Sequence, residues 1–172
     1  MNFQHVAPFG NQRLDYCNAV LAGIPASTLA PFQRVLHAAA LTVLDLKPRD
    51  LVTPALQDMD WLPVAERIHY KLCLLVHKSL LGHMPPMPAY ISDLLMPVAK
   101  IPRRSALRTS SRGDLVVPQT RRRIGDRAFS VAAPLAWNRL PTELKLLRST
   151  DLFRRDLKTF LFNSVYGHQD TD

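Results

Sequence analysis

Cysteine is nearly absent from this 172-residue sequence, and the two that occur, Cys17 and Cys73, exclude a scaffold built on disulfides. Their spacing offers no metal knuckle. Glycine is sparse, and Gly10, Gly23, Gly82, Gly113, Gly125 and Gly167 stand singly, so the sequence holds no Gly-rich loop of the kind that cradles phosphate. A Gly-x-Ser-x-Gly nucleophile turn is missing too. No apolar run approaches the ~20 residues that a membrane-spanning helix needs, and Met1 to Asn11 lacks the basic-then-apolar order of a secretory signal. The expected setting is intracellular and reducing, nuclear or cytoplasmic and not secreted.

Apolar residues, by contrast, are plentiful at 47%, enough for one medium core and too many for wholesale disorder. Fourteen prolines outnumber six glycines and fall largely between the apolar periodic stretches, where they end helices. Leu14, Cys17, Val20, Leu21 and Ile24 repeat at three and four residues, which predicts a short amphipathic helix stopped by Pro25. A second helix, capped by Ser27 or Thr28, follows with Leu29, Phe32, Val35, Leu36, Ala39, Val43 and Leu46 on one face before Pro48. After a short segment through Leu56, Trp61-Leu62-Pro63 opens the most apolar helix, Val64 to about Leu81. Only Arg67, Lys71 and Lys78 on it clearly ask for water, so neighbours are expected to pack around most of its surface.

Gly82 and the prolines Pro85, Pro86 and Pro88 lead to a helical turn at Tyr90 to Leu95. From Pro97 to Arg112 the periodicity gives way to Pro, Ser and Arg, as in a linker or extended arm. Val116-Val117 and Phe129-Ser130-Val131 are β-prone and compatible with a small hairpin, which Pro118 confines to an edge. Pro134 to Leu140 suits one or two helical turns, and Thr150 can cap a last helix to about Phe162 with Leu152, Phe153, Leu157, Phe160 and Leu161 buried. The expected fold is mainly α: a small helical bundle with a basic extended arm, a short β-hairpin and a C-terminal helix. Its divisions are 1–12 as an N-terminal extension, 13–96 as the helical core, 97–127 as the arm, 128–163 as hairpin and helix, and 164–172 as a polar tail.

Charge is the sharpest local signal. The chain carries a formal +8. Lys100, Arg103, Arg104, Arg108, Arg112, Arg121, Arg122, Arg123 and Arg127 face only Asp114 and Asp126 between positions 100 and 127; nine cations against two carboxylates account for seven of those eight charges. Arginine donates two parallel hydrogen bonds to phosphate oxygens and never titrates away, and such contacts release counterions. The eight arginines therefore point to an RNA or DNA backbone, held by shape because Phe129 is nearly the only aromatic nearby. The competing reading is a solvated basic loop, or one docked on an acidic protein face. A membrane surface fits less well, since no apolar face is aligned along the arm.

Other constellations carry little. His69, Cys73 and His77 stand four apart on the long helix, but i,i+4 steps drift around its surface and no fourth ligand lies near; no cofactor or metal is expected. Asp58 and Asp60 suit helix capping better than paired acid catalysis. Trp61 and Trp137 read as rings packed at helix ends, not as stacking platforms.

Ordered fragments then add a resemblance. Arg13-Leu14-Asp15-Tyr16-Cys17-Asn18, Pro31-Phe32-Gln33-Arg34-Val35 with Ala38-Ala39-Ala40, and Lys47-Pro48-Arg49-Asp50 come first. Leu62-Pro63-Val64, Arg67-Ile68, Tyr70-Lys71-Leu72, Pro102 through Arg108, Gly125 through Ser130, and Ala136-Trp137-Asn138-Arg139-Leu140-Pro141 follow. In this order the text resembles the stretch after the palm of jockey-like LINE (non-LTR retrotransposon) reverse transcriptases, from about Arg13 to Phe162. The resemblance implies a thumb over the first helices and a post-thumb region beyond, with the arginine arm on template RNA or target DNA. It also implies a non-catalytic fragment of an RNA-directed DNA polymerase, because no Tyr here is followed by the x-Asp-Asp turn of the palm. An upstream reverse-transcriptase module is then a second candidate partner, and a helical protein-protein module without nucleic-acid binding is the alternative. Departures are Met1 to Gln12, unlike a palm-to-thumb helix, Ala40-Leu41-Thr42, where an Arg is expected, and the lack of a zinc knuckle after Phe162.

Overall fold

The computed structural model describes residues 18–47, 49–82, 93–101, 111–122 and 125–167. Among them the chain is mainly helical: α1 (Ala26–Val43), α2 (Val52–Asp58), α3 (Val64–Leu81), α4 (Phe129–Asn138), α5 (Thr142–Lys145) and α6 (Thr150–Tyr166). Short 3-10 turns occupy Asn18–Leu21, Val98–Lys100 and Gly125–Arg127. The segment up to residue 17 of the helix expected from Leu14 to Ile24 lies outside the described residues.

α3 is the centre of the bundle, packed by α1, α4, α6 and the Asn18–Leu21 turn. Its bounds are those the periodicity predicts, and Gly82 ends it with φ 67°, a left-handed conformation that costs glycine least, while its N–H donates to the Lys78 carbonyl. At the other end Pro63 supplies no side-chain cap, and the Val64 N–H instead donates to Gln33 Oε1 of α1 at 2.9 Å. A tertiary contact here replaces a local cap. Arg67 corrects the expected polar stripe: it is buried, with Nε donating to the Leu62 carbonyl at 2.8 Å and the guanidinium 5.8 Å from the Trp61 ring centroid.

The hairpin expected at Phe129–Val131 is not formed, since these residues begin α4. Local β-propensity lost to burial. Val131, Ala132, Ala133, Ala136 and Trp137 are all buried, and the small alanines let α4 lie close on α3. Among the described residues the one β feature is an isolated antiparallel bridge between Pro97 and Leu115. Prolines also sit inside helices, Pro31 in α1 and Pro134 in α4, each at the sixth position, where the loss of one bond to the carbonyl four back is tolerated.

Further corrections concern caps and faces. Neither Ser27 nor Thr28 caps α1, which starts at Ala26 after Pro25. Ser149, not Thr150, caps α6 by accepting from the Leu152 N–H at 3.4 Å. Leu152 is exposed, and α6 runs on past Phe162 to Tyr166, which is buried with its hydroxyl donating to the Trp61 carbonyl at 3.1 Å. Residues 164–166 therefore belong to the helix and not to the tail. Burial pushes the Tyr166 phenol above its ordinary value, with the Arg67 charge opposing. Asp58 ends α2 and Asp60 pairs with Lys158 of α6, so neither caps a helix.

The apolar face expected on α1 is split: Leu36 and Ala40 are buried, whereas Phe32, Val35, Val43 and Leu46 are exposed. One buried cluster, from Ala22 to Tyr166, joins helices on both sides of the arm. At its heart His77 stacks on Phe153 at 4.0 Å, Trp137 lies 5.7 Å from Phe153, and His77 Nε2 meets the Leu147 carbonyl at 2.9 Å.

Candidate nucleic-acid interface

Of the eight arginines that the sequence nominates, Arg103, Arg104, Arg108 and Arg123 lie outside the described residues. Arg112, Arg121, Arg122 and Arg127 are all exposed, and none of them forms an ion pair with a described acid. The arm's two carboxylates are engaged elsewhere. Asp114 accepts from Lys145 Nζ of α5 at 2.6 Å, and Asp126 accepts from the Thr120 hydroxyl. Lys145 offsets the charge of Asp114, and four exposed arginines against the one remaining carboxylate, Asp126, leave the local field positive.

The arm is docked along residues 113–116. Leu115 is buried, its N–H donating to Asn138 Oδ1 and its carbonyl accepting from Asn138 Nδ2, each at 2.8 Å. One side-chain amide thus substitutes for a neighbouring strand. Trp137 Nε1 donates to the Gly113 carbonyl at 2.9 Å, and Lys145 Nζ also donates to the Asn138 carbonyl at 3.1 Å. On the far side the Val98 N–H donates to Asp114 O and the Val116 N–H to Met96 O, at 3.0 and 2.8 Å. Arg112 leaves one end of this docked piece, and the Arg121–Arg122 pair follows the other.

Arg121 and Arg122 lie between Thr120 and Asp126, whose side chains are hydrogen-bonded, and Arg127 follows Asp126 directly. The Gly125 N–H donates to the Arg122 carbonyl at 2.9 Å. The stem of Arg127 runs over Gly23, where an added Cβ would come within 3.3 Å of its Cγ. Gly23 thereby fits a close approach that no larger residue permits without a shift, and its φ of 68° favours glycine as well. Phe129 is half-buried against the core and so offers no open platform for a base.

Three features missed in the sequence hold this arrangement: Asp114, Asn138 and Lys145. Asp114 reads in the sequence as mere relief of positive charge, and the Ala136-to-Pro141 fragment is the one signal that marks Asn138. Elsewhere among the described residues no reactive constellation gathers. Among the described residues no group of His, Cys, Asp and Glu is placed to hold a metal ion. A largely apolar cleft of about 310 Å³ between the 21–24 segment, α1, α3 and α4 includes His69, Asp126 and Arg139, but no nucleophile paired with a base. His69 Nδ1 lies 3.2 Å from Glu66 instead.

Burial pushes the Cys73 thiol up to about 12, with the Glu66 charge adding to the effect and Lys145 opposing it. In a Cys17→Ser background Cys73 should resist an aromatic disulfide reagent near neutral pH and react once urea unfolds the chain. The same shift sets a pH dependence: the neutral buried thiol stabilises fully below pH 9.0, and that contribution is lost as pH rises toward about 12. Rapid native-state labelling would show that this part of the core opens.

Among the described residues no helix is long and apolar enough to cross a membrane. Compared with protein-family models, curated proteins and solved structures, the chain matches none.

Proposed function

We propose that this chain is the thumb-like and post-thumb part of a jockey-like retrotransposon reverse transcriptase, and that it holds RNA or DNA by the backbone without catalysing a reaction itself. The observation that supports this reading best is the fate of the arm's acids. Lys145, from outside the arm, takes up Asp114, and the Thr120 hydroxyl engages Asp126, while Arg112, Arg121, Arg122 and Arg127 stay exposed beside them.

Binding is read by anisotropy of labelled RNA and duplex DNA of unrelated sequences, titrated at several salt concentrations. Affinity should fall steeply and linearly on a log–log plot, with little sequence preference. Changing Arg121, Arg122 and Arg127 together to Ala should flatten the slope by about 0.9 for each phosphate no longer neutralised, roughly 2 to 3 in all. Binding indifferent to salt, or an unchanged slope in the triple variant, would remove the arm from the account. Supplied with Mg²⁺, primed template and nucleotides, the chain should extend nothing.

The second reading, a helical interaction module, is favoured by the apolar residues of α1 that the bundle leaves exposed.

A further inference from the structure

The cleft of about 310 Å³ between the 21–24 segment, α1, α3 and α4 lies at the lower end of the roughly 300 to 1,000 Å³ that hold small molecules. Leu21, Ile24, Leu29, Ile68, Leu72 and Leu135 make its wall apolar. Three polar side chains interrupt that wall: His69 from α3, Arg139 at the end of α4, and Asp126 from the Gly125–Arg127 turn. The Arg139 side chain forms no ion pair with a described acid, and the Asp126 carboxylate keeps acceptor capacity beyond the one bond from the Thr120 hydroxyl.

Opposite charges around one cleft narrow what fits it. An organic anion drawn to Arg139 also meets Asp126, and an organic cation drawn to Asp126 also meets Arg139. A neutral ring with donors and acceptors along its edge satisfies both. A nucleobase is such a ring, since each of the four carries an N–H donor beside ring-nitrogen or carbonyl acceptors; Asp126 suits the donors and Arg139 the acceptors. His69 and Arg139 are also the two kinds of planar group, imidazole and guanidinium, on which unpaired bases stack.

Position agrees with chemistry. Asp126 directly precedes Arg127 in the turn, and the Arg127 stem passes over Gly23, which belongs to the cleft wall: a Cβ added at Gly23 would stand 3.3 Å from the Arg127 Cγ. Cleft and arm therefore share a wall, and a strand whose phosphate rests on Arg127 has its bases beside the cleft. A duplex keeps its bases paired and stacked inside, so a single strand offers one at far lower cost.

We propose that this cleft takes one unpaired nucleobase of the strand whose backbone the arginines hold. The inference rests on the nucleic-acid reading above and narrows its substrate class to single strands. The arm supplies attraction to phosphate, and the cleft supplies what a duplex cannot use.

Two short RNA strands of equal length test this, one with its bases and one in which every base is replaced by an abasic sugar. Each is titrated against the whole chain by anisotropy at several salt concentrations. The phosphates are the same, so the salt slopes should agree, while the abasic strand should bind roughly 5- to 100-fold more weakly, the value of one stacked base. Ala65 lines the cleft and is exposed, so Ala65→Leu narrows the cleft without altering the arm or the helical circular dichroism. It should lower the affinity of the base-bearing strand toward the abasic level and leave the abasic strand as it was. Equal affinity for the two strands, a base-bearing strand indifferent to Ala65→Leu, or a loss shared by both strands would overturn the base site and leave the arm standing. Binding of neither strand would overturn arm and cleft together.

Discussion

Trp137→Ala should cost the fold about 4 to 5 kcal/mol, near the top of the range for emptying an aromatic site in a core. The ring is almost fully buried at 1% exposure, tilted against Phe153 and His77, and its indole N–H holds the Gly113 carbonyl. The substitution removes a large apolar surface and unties the arm in one step. Trp137→Phe separates the two, because it keeps most of the packing and loses the hydrogen bond, for an expected cost of about 1 to 2 kcal/mol. Urea unfolding followed by circular dichroism measures both. A loss under about 2 kcal/mol for Trp137→Ala would mean that the site collapses around the gap and that α3, α4 and α6 do not depend on this ring.

How much of this was legible follows from what each residue answers to. α3 was readable end to end, because its periodicity, the Pro63 start and the Gly82 stop all act within the helix itself. α4 was not: Phe129-Ser130-Val131 carries β-prone side chains, and only the presence of α3 makes a helix with buried alanines the better solution. The reach of α6 to Tyr166 depended on the Trp61 carbonyl, 105 residues away in sequence. α1 shows a different limit. Its sequence places apolar residues around much of the helix, and periodicity alone cannot tell which of them the bundle will cover. At the candidate interface, the arginine cluster was plain from composition, while the Asn138 amide that docks Leu115 belongs to a single side chain pairing across 23 residues. No period or composition marks such a pairing.

Asp114→Asn carries the second large expectation, a loss of about 3 kcal/mol, because it leaves the Lys145 ammonium buried at 3% side-chain exposure without its carboxylate. Lys145→Met should cost slightly less, since Asp114, at 15%, keeps some water. The double variant Asp114→Asn/Lys145→Met should recover most of the loss, as neither charge is then stranded, and the coupling follows from the cycle of four unfolding free energies. That double variant also separates charge from position in nucleic-acid binding. It removes one cation and one anion, so the chain's net charge stays as it was, yet the tether that fixes the 113–116 segment is weakened. If the tether presents Arg112, Arg121 and Arg122 in a fixed arrangement, affinity should drop severalfold while the salt slope holds, because the same phosphates are met by a less ordered arm. An affinity identical to that of the unaltered chain would make the Asp114–Lys145 pair a matter of stability alone, with the arginines acting as a loose cloud of charge.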